Sequence, residues 1–313
     1  MAVIHSPRKG SLQYWPRKRI YKFLPSVNWN VVSSSKTLKG FIGYKAGMAS
    51  VSVKDLTPNS MTKDKKIAIP ATIIECPPAR ILSARFYKNK QVMTEILAEN
   101  LDKDLKRKIK LPKKSGKKID DIKDFDDIRV IVYSNVKKTS IKKTPDFVEI
   151  GLNGSLDERL AFVKENFSKE IPLSEVIQNG QLIDVRGVTK GKGLQGTVKR
   201  FGVKLRQHKS EKGVRKVGSI GPWHPARLTF RTPMAGQMGL FTRTAYNNKI
   251  IEIAKADDKP IKNIKNYGDL KSDYILVYGS IPGPAKRQLL LTYPLRQTKQ
   301  QSKKQYEFIE VLK

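Results

Sequence analysis

Apolar positions along the chain fall into short runs of β type. Residues 40–44, 48–53, 67–76 and 80–87 are such runs, separated by Gly, Pro and polar breaks, and similar ones return at 249–254, 274–278 and 289–293. Runs this short and this evenly spaced predict a small barrel or sandwich assembled from both halves of the chain. The material between them changes character. Residues 128–133 and 147–152 read as strands, whereas Ile96, Leu97, Leu101, Leu105 and Ile109 share one helical face. Ser155 and Glu158 form a capping-box signature ahead of the stripe Leu156, Leu160, Val163 and Phe167, which predicts a second helix. The fold class is therefore mainly β with an α+β insertion. The predicted layout is an arm over 1–38, a β core from 39–85 and 181–295, an inserted module over 86–180 and a tail over 296–313. One stretch of the core segment, 186–249, follows neither the 3.6-residue nor the two-residue period over any length. It is predicted to be a long excursion that makes no core of its own.

Charge sharpens that division. The 313 residues carry a formal net charge of +34, with 39% hydrophobic residues, enough apolar material for a sizeable core. Residues 186–249 hold fifteen Lys and Arg against one acid, Glu211, together with ten glycines, and residues 1–54 hold ten cations and no acid. The 86–180 insertion is nearly balanced, with twenty basic and sixteen acidic residues, and is expected to face solvent. Its 113–118 loop reads as a basic, solvated turn. So strong a positive imbalance implies a polyanionic partner. No apolar run approaches the roughly 18 residues of a spanning helix, and residues 1–10 lack the apolar core of a secretory signal. The single cysteine, Cys76, follows Ile73 and Ile74 and reads as a small buried residue. Three histidines (His5, His208 and His224) are too few for a zinc cluster, and no cofactor is expected.

Candidate polyanion contacts follow from residue type. Arg8, Lys9, Arg17, Lys18 and Arg19 supply charge in the arm, where Tyr14, Trp15, Tyr21, Phe23 and Trp29 are interleaved; aromatic residues at this density suit stacking on bases and disfavour a permanently disordered tail. In the excursion, Gly187, Gly191, Gly193 and Gly196 permit close backbone approach to phosphate, with Lys190, Lys192, Lys199 and Arg200 between and after them. Lys204, Arg206, Lys209, Lys212, Arg215 and Lys216 continue the cationic run, and Arg227, Arg231 and Arg243 extend it. At the centre stands GSIGPWHPAR (218–227), where Pro222 and Pro225 stiffen the chain on either side of Trp223 and His224. Trp223 is more often a core residue in a globular domain, but flanking prolines and cations favour an exposed stacking tip. His224 suits either a hydrogen bond to RNA or one that stabilises the turn. Met234, Met238 and Phe241 read as packing residues at the root.

Gly191, Gly193 and Gly196 also match the dinucleotide fingerprint and the glycine-rich loop of kinases. The fingerprint needs a helix behind its third glycine, and residues 197–205 show no helical apolar stripe. A kinase needs a His-Arg-Asp loop and an Asp-Phe-Gly further on, and neither follows. The expectation is a non-enzymatic nucleic-acid-binding protein, with a sequence-tolerant DNA-compacting protein as the alternative.

Residues 217–250, VGSIGPWHPARLTFRTPMAGQMGLFTRTAYNNKI, resemble the signature of the universal large-subunit ribosomal protein three family. RGVTKGKGLQGTVKRFG (186–202) resembles its preceding element, KGFIGYKAGM (39–48) extends the match, and the Trp-His-Pro-Ala-Arg run has an archaeal or eukaryotic look. One departure is Glu211 ahead of Lys212 and Gly213, where eukaryotic relatives carry a histidine; His208 does not inherit that role. The resemblance implies a small antiparallel barrel of the translation-protein type with an inserted α+β module and long basic extensions. It implies 23S-type rRNA and neighbouring large-subunit proteins as partners, with no membrane and no stable homo-oligomer. It further implies a cytoplasmic, ribosomal location, a part in early subunit assembly, and a Trp223 loop that shapes RNA near the peptidyl transferase centre.

Overall fold

A computed structural model of the chain describes residues 9–112, 119–122, 124–139 and 141–312. The predicted 113–118 loop and Arg8 lie outside the described residues. The structure is mainly β, with few and short helices. Contacts divide it into two compact units, one of residues 1–21 and 188–242, the other of residues 22–187 and 243–313.

The larger unit contains two sheets. The strands in chain order are β1 (Gly40–Asp55), β2 (Lys66–Glu75), β3 (Ala79–Lys88), β4 (Gln91–Leu97), β5 (Asp127–Ser134), β6 (Phe147–Gly151), β7 (Glu170–Ile171) and β8 (Leu182–Val188). After β9 (Leu194–Gln195) and β10 (Gly236–Gln237) come β11 (Thr242–Ala254), β12 (Tyr274–Tyr278), β13 (Gln288–Thr292) and β14 (Tyr306–Leu312). One sheet runs β13-β8-β11-β12-β2-β1-β14, and β1 also pairs with β13, so the hydrogen-bonded path returns on itself. Phe41 faces Leu291 and Ile42 faces Leu290 across the closing pair. The runs at 40–44 and 48–53 form one strand rather than two. A register shift between Lys45 and Gly47 marks the irregularity that interrupts the apolar pattern without ending the pairing.

The second sheet runs β4-β3-β5-β6, with β7 beside β3. β3, read from the sequence as part of the β core, belongs here instead. Its register pairs Phe86 with Ile128 and Thr94. The proposed helix through Ile96, Leu97, Leu101, Leu105 and Ile109 does not form. Ile96 and Leu97 end β4, and residues Lys103–Arg107 make a 3-10 turn. Asn89 and Lys90 both take the left-handed conformation, with φ of 50° and 64°, and Lys88 pairs with Gln91. This two-residue hairpin turn makes β4 the partner of β3, and the pairing overrides a helical spacing that happened to be present. The capping-box helix does form, as α1 (Leu156–Asn166), with the Ser155 side chain accepting from the Glu158 amide and the Glu158 side chain accepting from the Ser155 amide. Val163 is buried beneath it and Leu160 and Phe167 pack alongside, whereas Leu156 is exposed.

The two sheets share one hydrophobic cluster, including Phe41, Ile42, Ile74, Phe86, Ile128, Ile150 and Leu291. A polar link crosses it: the Tyr44 hydroxyl donates to Asp146 at 2.7 Å and lies 2.6 Å from the Ser134 hydroxyl. Cys76 is free and buried, as expected. Acids of the insertion are engaged in ion pairs over its sheet, Arg80 with Asp102 and Glu170, Arg85 with Glu95, and Arg159 with Asp127.

The turn from β1 to β2 is organised by Asp55. Its carboxylate accepts from the Thr57 amide at 2.9 Å and from the hydroxyls of Ser60 and Thr62 at 2.8 and 2.6 Å. Burial pushes this carboxyl up, but the hydrogen bonds outweigh burial and hold its pKa well below the ordinary carboxylate range. A depressed folded-state pKa contributes stability above the unfolded value of about 3.9, lost as pH falls toward the folded value. Asp55→Asn should therefore be less stable than the parent chain in urea unfolding at about pH 6, and the gap should shrink near pH 2.5. A gap that does not vary with pH would show that the carboxylate charge is not what holds the turn.

Candidate nucleic-acid interface

The smaller unit is built on two antiparallel legs. The Thr189 amide donates to the Phe241 carbonyl at 3.0 Å, Lys192 to Met238 at 2.9 Å and Met238 to Gly193 at 2.8 Å. β9 and β10 then pair Leu194 with Gln237 and Gln195 with Gly236. Beyond them stands α2 (Thr197–Phe201), closed by Gly202 in the left-handed conformation with φ of 63°. A helix after the third glycine is thus present, contrary to the reading from the sequence. At five residues it is a single turn, and its cap carries no side-chain hydrogen bond.

Between positions 189 and 238 the only buried side chain is Phe201, 8% exposed. It is the anchor of this unit, and sequence reasoning passed over it, although a lone aromatic between Arg200 and Gly202 is a visible signal. The Arg17 and Arg200 guanidiniums lie 4.9 and 5.1 Å from its ring centroid, a geometry in which a cation meets the negative face of an aromatic ring. A Cβ on Gly10 would sit 2.7 Å from the Phe201 ring, so the arm can lie this close only with glycine there. Phe230 was also missed. Its ring lies 5.2 Å from that of Trp15.

Several predicted contact residues have internal work. Arg200 donates to the Gln237 carbonyl at 3.1 Å and to the Met234 carbonyl at 2.8 Å, clamping α2 to the returning leg. Burial, reinforced by the charge of Arg17, lowers its pKa. Arg17 donates to the Ser11 carbonyl at 2.7 Å. Arg206 donates from its side chain to the Val217 carbonyl, and its amide donates to Val214 at 3.0 Å, closing a subsidiary loop. A Cβ on Gly187 would strike Leu289 and one on Gly191 would strike Leu240, so these two glycines serve internal packing. Of the predicted phosphate-loop glycines, only Gly193 and Gly196 face open space.

The remaining cations are placed outward. Lys9, Lys18, Arg19, Lys190, Lys192, Lys199, Lys204, Lys209, Lys212, Arg215, Lys216, Arg227 and Arg231 are exposed, and Arg243 is half-buried. Trp223 is 88% exposed, and every residue from 218 to 231 is exposed. His224 is exposed as well and makes a cis peptide with Pro225. The tip is held by few bonds, among them Thr232 Oγ1 to the Ile220 carbonyl at 3.2 Å and the Arg227 amide to the Pro225 carbonyl at 2.6 Å. Met238 and Phe241 are half-buried at the root, but Met234 is 44% exposed and does not pack there. The stretch from 189 to 242 offers one carboxylate, Glu211, which is exposed.

Such a surface can neutralise phosphate and stack a base, and it has no equipment for bond-making chemistry. Among the described residues no group of three or more His, Cys, Asp or Glu side chains is placed to hold a metal ion, and no helix is long and apolar enough to cross a membrane.

Comparison with known proteins agrees with this geometry. The family described as Ribosomal protein L3 matches residues 1–311. Large ribosomal subunit protein uL3 of Methanocaldococcus jannaschii is 41% identical, over 94% of this chain and 92% of its own length. Its namesake in Picrophilus torridus is 39% identical over 96% and 94%, and that of Methanobrevibacter smithii 41% over 93% and 92%. With its basic, coreless excursion and a family match that runs nearly end to end, the chain belongs to the ribosomal protein L3 family.

Proposed function

We propose that this protein binds large-subunit rRNA through the arm and the 188–242 excursion, and that its Trp223 tip shapes RNA near the peptidyl transferase centre. As a family member it is a structural, non-catalytic constituent of the large ribosomal subunit, located in the cytoplasm within the ribosome. The DNA-compacting alternative is left without support. The observation that carries the rRNA reading is the coincidence of exposure and charge: one buried side chain and one carboxylate over some fifty residues of backbone. Phosphate supplies the compensation that burial and ion pairing do not.

The closed strand path through β1, β2, β12, β11, β8 and β13 supports a reading of the core as the small antiparallel barrel, with 86–180 as its inserted module and 296–313 as a tail. In this reading the barrel docks on folded rRNA, the basic segments thread between RNA helices, and the protein joins the subunit early in assembly. Lys9, Lys18, Arg19, Lys190, Lys192, Lys199, Lys204, Lys209, Lys212, Arg215, Lys216, Arg227, Arg231 and Arg243 are assigned to phosphate. Arg17, Arg200 and Arg206 chiefly hold the scaffold that presents them.

Competition between structured rRNA fragments and duplex DNA over a range of salt concentrations tests the rRNA reading. RNA should win throughout, and replacing one phosphate-binding lysine such as Lys209 should lower the salt slope by about 1. Equal preference for the two polymers would overturn it. For the tip, Trp223→Ala should still enter large subunits while altering tRNA handling or peptide-bond formation, since a base stacked on an aromatic ring gains about 1–3 kcal/mol. Normal rate and fidelity in subunits carrying the variant would remove the role given to Trp223.

A further inference from the structure

Lys39, outside every contact considered so far, is a buried lysine of the larger unit. Its amide donates to the Gly151 carbonyl at 3.1 Å, and the adjoining Leu38 forms a bridge with Leu152. These contacts seat Lys39 against the end of β6, where it lines a cavity of about 540 Å³, a volume typical of small-molecule pockets. Trp29, Tyr87 and Gly151 line the same cavity and are buried, whereas Asn30, Asn89 and Lys90 are exposed at its rim.

The pairing of charges around this cavity leaves Lys39 over. Lys39 is 9% exposed, and its ammonium makes one hydrogen bond, to the Trp29 carbonyl at 3.1 Å. Asp127 gives one oxygen to Arg159 at 2.7 Å and the other to Arg129 at 3.1 Å, and Arg129 also reaches Glu149 at 3.5 Å. The two arginines and these two acids therefore cancel. At the rim Asp126, which accepts from the Asn89 amide at 2.7 Å, offsets Lys90. Among the described residues no carboxylate forms an ion pair with Lys39. Burial, then the charge of Arg159, lowers its pKa; Asp127 opposes the shift and Arg129 adds to it. A buried ammonium with a single neutral acceptor is costly, and an anion beside it removes the cost. The donors select the kind of anion. An ammonium has three N–H bonds, of which Lys39 uses one, and the Nη2 groups of Arg129 and Arg159 have no hydrogen-bond partner among the described residues. Donors from three cations suit an oxyanion with more than the two oxygens of a carboxylate. We propose that the cavity beside Lys39 binds a phosphate group, carried either by an rRNA backbone or by a free phosphate compound, with the Lys39 ammonium as its principal ligand and Arg129 and Arg159 beside it. The site is separate from the 188–242 excursion and does not rest on the role given to that segment.

The test uses the full chain, freed of nucleic acid. Reductive methylation of Lys39, followed by peptide mass spectrometry, should slow at least threefold when inorganic phosphate replaces chloride at equal ionic strength. This readout needs no variant, so it stands even if a substitution unfolds the chain. In titration calorimetry, Lys39→Met should weaken the saturable binding of inorganic phosphate about tenfold, Lys39→Arg should largely restore it, and Lys209→Met on the excursion should leave it unchanged. An unchanged rate of Lys39 methylation in phosphate would overturn the proposal. Once phosphate binding is established, iodine cleavage of phosphorothioate-substituted rRNA in assembled subunits identifies the source. A backbone position that becomes cleavable only with Lys39→Met names rRNA, and an unchanged pattern names a free phosphate compound.

Discussion

Uncompensated positive charge is the constraint on which the rest of this structure depends. Ordering a residue costs about 1–2 kcal/mol of backbone entropy, so the stretch between α2 and β10 costs on the order of tens of kcal/mol. Folded segments usually offset that by burying apolar surface, at about 25 cal/mol per Å². Here Phe201 is the one buried side chain between positions 189 and 238, and Glu211 the one carboxylate. Neither burial nor ion pairing within the chain offsets the segment's own repulsion, and the proposed rRNA contact would supply the missing polyanion.

The larger unit is built on the opposite principle. It has a cluster shared by two sheets, a strand path that returns on itself, and carboxylates matched to arginines across the five-stranded sheet. Its stability is internal, and it supplies the two neighbouring strands, β8 and β11, from which the charged excursion departs and to which it returns. The separation of roles is also a separation of charge. Acids are concentrated where the fold must stand alone, and nearly absent from the segment proposed to meet RNA.

Much of this was legible in the sequence. The 67–76 run became β2 almost to the residue, and the capping box of Ser155 and Glu158 was read correctly, because both signals are local. The exposed Trp223 tip was legible too, since two prolines and surrounding cations leave an aromatic residue little chance of burial. Non-local matters were not. A helical spacing at Ile96 to Ile109 lost to a hairpin whose turn, Asn89 and Lys90, carries no glycine to announce it. Arg200 reads as one more phosphate ligand, whereas its hydrogen bonds reach Met234 and Gln237, far along the chain. Gly187 and Gly191 look like phosphate-loop glycines and prove to be spacers for Leu289 and Leu240. Composition points to a candidate interface; only the tertiary contacts separate the residues that hold it together from those left exposed on it.

Hydrogen exchange on the purified chain at moderate salt, compared with the same chain in assembled large subunits, tests the central claim most directly. The account predicts that amides of β1, β2 and β13 are protected in both states, while those from 203 to 235 exchange freely in the isolated chain and become protected in the subunit. Strong protection of residues 203–235 in the isolated chain would contradict it, because the segment would then be ordered without any polyanion to hold it.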